Sequence, residues 1–99
     1  DLSAFLDKSA ENTDIGDKLD AVKEKTSSTD GVLEEKMYAV SLSNLTESEL
    51  ATFLYEIETS GFPLQIKTMK VKSRKKGDEK TLRVDLDISA YRLIDGEQG

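Results

Sequence analysis

Between Lys36 and Leu93 the hydrophobic period changes from two to about 3.6 and back to two, which leaves this stretch few folds to choose from. From Glu35, Tyr38, Val40 and Leu42 alternate with Met37, Ala39 and Ser41, the pattern of a strand with one buried face. Leu45-Thr46-Glu47-Ser48-Glu49-Leu50 then reads as a helix start. Thr46 can cap the amide of Glu49, Glu49 can reach back to the amide of Thr46, and Leu45 and Leu50 occupy the staple positions. Leu50, Phe53, Leu54 and Ile57 form a helical core stripe, which Gly61 and Pro63 stop. Two strands follow, joined by Lys76-Gly77-Asp78-Glu79. Leu82, Val84, Leu86, Ile88 and Ala90 make a core row against an outer row of Arg83, Asp85, Asp87 and Ser89. If Met69 and Val71 share that core face, Lys70 lies opposite Asp85 and Lys72 near Arg83. Ile66 is then out of phase with Met69, which predicts a bulge near Lys67-Thr68.

The first third is less regular. Leu2, Phe5, Leu6 and Ala10 form the stripe of an amphipathic helix, interrupted by Asn12-Thr13-Asp14 and Gly16. Residues 15–25 fit either period: Leu19 and Val22 suit a helix, while Leu19, Ala21 and Lys23 suit an edge strand with one polar face. The strand pattern downstream favours the second. Thr26-Ser27-Ser28-Thr29-Asp30-Gly31 reads as a loop by composition. The order is then αββαββ, and the expected architecture is α+β: a four-stranded antiparallel sheet with two helices on one face. Residues 1–99 make one domain, long enough for one core. The opening Asp1-Leu2-Ser3, inside a helical pattern, suggests a fragment of a longer protein.

Chemistry-bearing residues are few. The chain has no His, Cys or Trp, so the best nucleophiles, metal ligands and general bases are missing. Asp85 and Asp87 could hold a hard cation with Asp95 or Glu97, but no third ligand has a fixed spacing, and a solvated face neutralised by Lys70 is the better reading. Glu56 and Glu58, two apart on a helix, do not share a face. Ser41, Ser43 and Ser60 lack a His partner.

The net charge of −6 conceals an asymmetry: Lys67 to Lys80 carries seven basic residues against Asp78 and Glu79, a net of +5, so the remainder sums to −11. Lys70, Lys72, Arg74, Lys75 and Lys76 could meet phosphate, lipid headgroups or RNA. A soluble hairpin tip protected against edge aggregation explains them better, because Tyr91 is the only aromatic residue placed for stacking on bases. Nucleic acid is therefore not expected, nor is a cofactor or a metal. Met37 and Tyr91, apolar bodies on an otherwise polar outer face, mark a candidate partner surface together with the edge strand nearest the N-terminus, represented by Leu19 and Ala21.

Tyr38-Ala39-Val40-Ser41-Leu42-Ser43-Asn44-Leu45-Thr46, followed by Glu49 to Glu58, resembles the periplasmic domain of the M component of type II secretion systems (GspM). Pro63 to Val71 and Leu82 to Tyr91 continue the resemblance, which also extends to PilO of type IV pilus assembly. It covers about the last 60 residues well and the first 30 loosely. Gly61-Phe62-Pro63-Leu64 stands where PilO has a Leu-Pro-Arg-type stretch, which favours the M family.

The resemblance implies a circularly permuted ferredoxin-like αββαββ sandwich. It implies a periplasmic domain of an inner-membrane platform protein, anchored through a segment outside this sequence, that homodimerises and pairs with an L-type partner of similar fold. It carries over no catalytic residue, so no enzyme is expected. Two rivals remain. One is a small-molecule-binding regulatory domain of ferredoxin-like fold, although Ser43-Asn44-Leu45-Thr46 is a cap rather than a ligand cradle. The other is an acylphosphatase-type enzyme, for which Asn44 is the only suitable Asn and no Arg precedes the helix.

Overall fold

A computed structural model describes residues 2–94. The elements are α1 (Leu2–Asn12), a 3-10 turn (Gly16–Lys18), β1 (Leu19–Asp30), β2 (Leu33–Leu45), α2 (Glu47–Glu58), β3 (Leu64–Lys76) and β4 (Glu79–Leu93). The strands form one antiparallel sheet in the order β1-β2-β4-β3. This is the α+β arrangement expected from the hydrophobic periods, and it is consistent with the ferredoxin-like sandwich that the resemblance implies; among the described residues β1 and β3 are the edges.

The core joins one row from the sheet to one stripe from each helix. Tyr38, Val40 and Leu42 of β2 and Leu82, Val84, Leu86 and Ile88 of β4 meet Leu2, Leu6 and Ala10 of α1 and Leu50, Phe53 and Ile57 of α2. Phe5 adds a stacked contact with Phe62, ring centroids 4.5 Å apart. The helix start is held as its sequence requires. The Thr46 hydroxyl accepts from Glu49 N–H at 3.1 Å, and Glu49 Oε1 accepts from Thr46 N–H at 2.9 Å. Glu49 also braces the chain before β1: both its oxygens lie 2.9 Å from Lys18 Nζ, which ties α2 to the 3-10 turn.

The ambiguous stretch 15–25 resolves by burial. Ile15 is fully buried and closes α1, its N–H donating to the carbonyl of Ala10. After the short turn the chain enters β1 at Leu19. One expectation is corrected here: Thr26 to Asp30 is not loop but the outer half of β1, and the turn is confined to Gly31-Val32. The physical reason is that β2 supplies the ladder hydrogen bonds, with Ser27↔Lys36 and Thr29↔Glu34 in register, so the strand persists with its side chains exposed. Polar composition reported exposure, not irregularity.

In the second hairpin the register is Lys70↔Asp85, Lys72↔Arg83, Met69↔Leu86 and Val71↔Val84, with the irregularity between Ile66 and Thr68, where the phase of the apolar residues placed it. Gly77, at φ 66, makes the turn.

The sheet is far longer than its cover. Helices of 11 and 12 residues span about 17 Å at about 1.5 Å per residue, whereas the 15-residue β4 runs about 50 Å. The molecule is accordingly 61 × 22 × 17 Å. The two hairpin tips project from opposite ends, because β2 pairs Leu33 with Leu93 at one end and Leu45 with Leu82 at the other.

Candidate interaction surface

The face of the sheet away from the helices is built from alternate residues of all four strands. Across its middle run Ala39 of β2 and Asp87 of β4, directly opposite one another. Asp87 accepts from the Thr68 hydroxyl on β3 at 2.9 Å and from Lys25 Nζ on β1 at 3.3 Å. The Thr68 bond first, and then Lys25, hold the Asp87 carboxyl below its ordinary value of 3.8, against the opposing pull of partial desolvation. Lys25 reaches Asp87 across β2 for two reasons. It occupies the register irregularity between Glu24 and Thr26, and the intervening side chain is only Ala39. Asp85 accepts from Ser41 at 3.2 Å and lies 3.8 Å from Arg83.

Both carboxylates of the Asp85/Asp87 pair are thus engaged by neighbours of their own, and no group of three metal-binding side chains occurs among the described residues. Asp95 and Glu97, the other ligands considered, lie outside the described residues. Lys70 sits opposite Asp85 in register and helps lower the Asp87 pKa from a distance, while the ion pairs of this face come from Lys25 of β1 to Asp87 and Arg83 of β4 to Asp85.

Met37 and Tyr91 occupy this outer face as neighbours across β2 and β4. Met37 pairs with Ser89, and Tyr91 lies two residues beyond Ser89 on the same strand, so the two side chains are diagonal. Both are half-buried. Between them Ser89 is fully buried, its hydroxyl donating to Glu35 Oε2 at 2.6 Å, and the Tyr91 hydroxyl donates to Gln65 at 3.2 Å. Ala21, opposite Ser41, belongs to the same face on β1. Leu19 does not: it pairs with Leu42 and packs against the core, because the register shifts between Leu19 and Ala21. The structure therefore brings three of the four candidate residues to one face.

Sequence reasoning missed Lys25, Thr68 and Glu35. Their signal was hidden in a bulge and in cross-strand neighbours, neither of which has a period. Concavities among the described residues adjoin the sheet. Asn44, in a left-handed conformation at φ 60, shares a cleft of about 240 Å³ with Arg74 and Arg83, but Asp20 lines it too and Arg83 leans on Asp85. A larger open cleft of about 700 Å³ lies on the helix side, between the start of α1 and the bare end of the sheet, floored by Leu2, Tyr38 and Phe62. Its rim charges Arg92 and Glu34 neutralise each other at 2.8 Å. Among the described residues no helix is long and apolar enough to cross a membrane.

An elongated α+β sandwich with one bare sheet face is the class that fold and surface define. Solved structures share the fold. The type 4 fimbrial biogenesis protein PilO from Pseudomonas aeruginosa superposes with a TM-score of 0.73 at 17% identity, covering 91% of this chain and 67% of that one. The core region of PilO from the type IV pilus system of the same organism gives 0.71 at 17% identity, covering 93% and 95%. No family model and no curated protein matches the sequence.

Proposed function

We propose that this chain is a non-enzymatic scaffold domain of a pilus or type II secretion platform, acting by homodimerisation and by pairing with a similarly folded, L-type partner. The observation that carries the reading is the bare outer face. Helices cover only one side of the sheet, and the other side sets the half-buried apolar bodies of Met37 and Tyr91 in a polar surround. The likeness to PilO over more than nine-tenths of the chain supports it. The domain would then stand in the periplasm, tethered to the inner membrane through a segment outside this sequence.

Sedimentation equilibrium over a concentration series tests the proposal, with Met37→Glu and Tyr91→Ala as probes of the face. A dimer that weakens at least about tenfold in either variant is expected, equivalent to about 1.4 kcal/mol. A strict monomer at about 1 mM, where an association of only about −4 kcal/mol would register, overturns self-pairing.

A second reading rests on the helix-side cleft, whose volume suits a small ligand. On that reading the chain is a small-molecule-binding regulatory domain. A thermal-shift screen with amino acids and nucleotides separates the two, since a ligand at 100 times its Kd stabilises by about 2.7 kcal/mol.

A further inference from the structure

Strand β3 is an edge with an unusual division of residues. It carries six basic side chains and no acidic one, in a chain whose net charge is −6. Between Thr68 and Arg74 the two faces of the strand differ. Lys70, Lys72 and Arg74 stand opposite Asp85, Arg83 and Thr81, on the outer face. Met69 and Val71 stand opposite the core residues Leu86 and Val84, on the helix side. Leu86 and Val84 are buried, but β3 is the edge strand, and Met69 and Val71 beside them are 48% and 43% exposed.

Among the described residues, none of the six basic side chains of β3 makes an ion pair. Among the described residues the outward backbone edge of β3 has no neighbouring strand, which leaves its outward N–H and C=O groups without ladder partners. Lysines alone would be a guard against edge pairing. A guard does not account for two large apolar side chains held bare on the other face of the same strand. A cationic row, an apolar row and a free ladder edge together describe one half of a two-strand interface.

We propose that β3 is a docking edge that takes an extended segment of another protein, alternating acidic and apolar residues, as a fifth strand of the sheet. The period of two decides the chemistry of the occupant. An added strand puts successive side chains on opposite faces, so its acidic residues would lie beside Lys70, Lys72 and Arg74, and its apolar residues beside Met69 and Val71. A second copy pairing through the same edge is disfavoured, because six cations would face six. The edge of β1 is a poor occupant as well, since Lys23 and Lys25 interrupt its acidic residues. The cationic row shares the outer face with Met37 and Tyr91, but the free ladder edge and the apolar row of Met69 and Val71 lie off it, so the inference does not rest on that face.

The test is a titration of the whole chain, followed by amide chemical shifts, with an acetylated decapeptide alternating Glu with Val and Ile. Three controls accompany it: a peptide of the same composition with its Glu residues grouped together, a peptide with Lys replacing Glu, and phosphatidylglycerol vesicles. Shifts confined to residues 67–76 and their β4 neighbours are expected for the alternating peptide alone. Binding should weaken at least about tenfold when Lys70→Glu and Lys72→Glu are combined, and also at salt of about 1 M, where charges are screened beyond about 3 Å. Val71→Ser, at an exposed position, should weaken binding without altering the fold. No shift at about 1 mM peptide overturns the proposal, as do shifts on β1 or equal binding of the grouped peptide. Vesicles that move the β3 amides while the alternating peptide is silent also overturn it, in favour of an anionic lipid surface. The dimer is read separately by sedimentation with Met37→Glu and Tyr91→Ala, at positions none of these substitutions changes, so the two proposals fail independently.

Discussion

Glu49 holds two partners at once, and that makes its contribution measurable. It closes the capping box with Thr46 and anchors Lys18 of the preceding turn. Thr46→Ala removes the acceptor for the Glu49 amide at 3.1 Å and should cost about 1 kcal/mol. Glu49→Gln retains a capping side chain but loses the negative charge beside both Lys18 and the helix N-terminus. Its side chain is 30% exposed and that of Lys18 26%, so the ion pair takes the value of a surface pair, up to about 1 kcal/mol. The helix-end interaction adds about 0.3–1 kcal/mol. A total near 1 kcal/mol at pH 7 lowers Tm by about 4–8 °C in a domain of this size.

The pH dependence identifies the cause. The Thr46 N–H, then Lys18, hold the Glu49 carboxyl below its ordinary value of 4.5. A depressed folded pKa means that the stability is fully present above the unfolded pKa and is lost as pH falls through the folded one. The gap between the parent and Glu49→Gln should therefore be constant near neutrality and close on acidification below about pH 4.5. Urea unfolding followed by far-UV circular dichroism over that range reads it directly. A Thr46→Ala variant within about 0.5 kcal/mol of the parent, the scatter of an ordinary surface change, refutes the capping argument. A Glu49→Gln gap that acid leaves untouched refutes the electrostatic one.

Two further outcomes rest on the packing. Phe53, fully buried among both helices and the sheet, should lose about 3–5 kcal/mol on substitution by Ala, read as a fall in the urea midpoint; a loss under about 1 kcal/mol would mean that the core does not close around this ring. Gly77→Ala meets no atom within 4 Å, so its cost should be conformational alone, about 1 kcal/mol for an L residue at φ 66, and amide exchange should report it at the β3–β4 tip rather than across the sheet.

The second half of the fold was legible residue by residue, because its signals are local. A capping box, a staple, a stop at Gly61 and Pro63, and two strict alternations each need only neighbours within a few positions. Even the register of Lys70 against Asp85 followed, since a face assignment and one turn suffice to set it. The stretch Thr26 to Asp30 was not legible, because its strand character is conferred by β2 and no buried row marks it. The same limit applied to the outer face. Met37 and Tyr91 could be placed there from alternation, whereas a register shift put Ala21 on that face and Leu19 on the core side of the same edge strand.

The sequence by itself determined the strand-helix-strand-strand order from β2 to β4, the apolar rows of that stretch and of α1, and the absence of His, Cys and Trp chemistry, since these depend on residue type and short-range period. Only the tertiary structure decided which residues meet across strands: Lys25 with Asp87, Glu35 with Ser89, and Lys18 with Glu49. It also decided that both helices pack on one side of the sheet, leaving the outer face bare, and that β3 is an edge strand, leaving Met69 and Val71 exposed. Those contacts join residues 31 to 62 positions apart, a separation over which no period in the chain carries information.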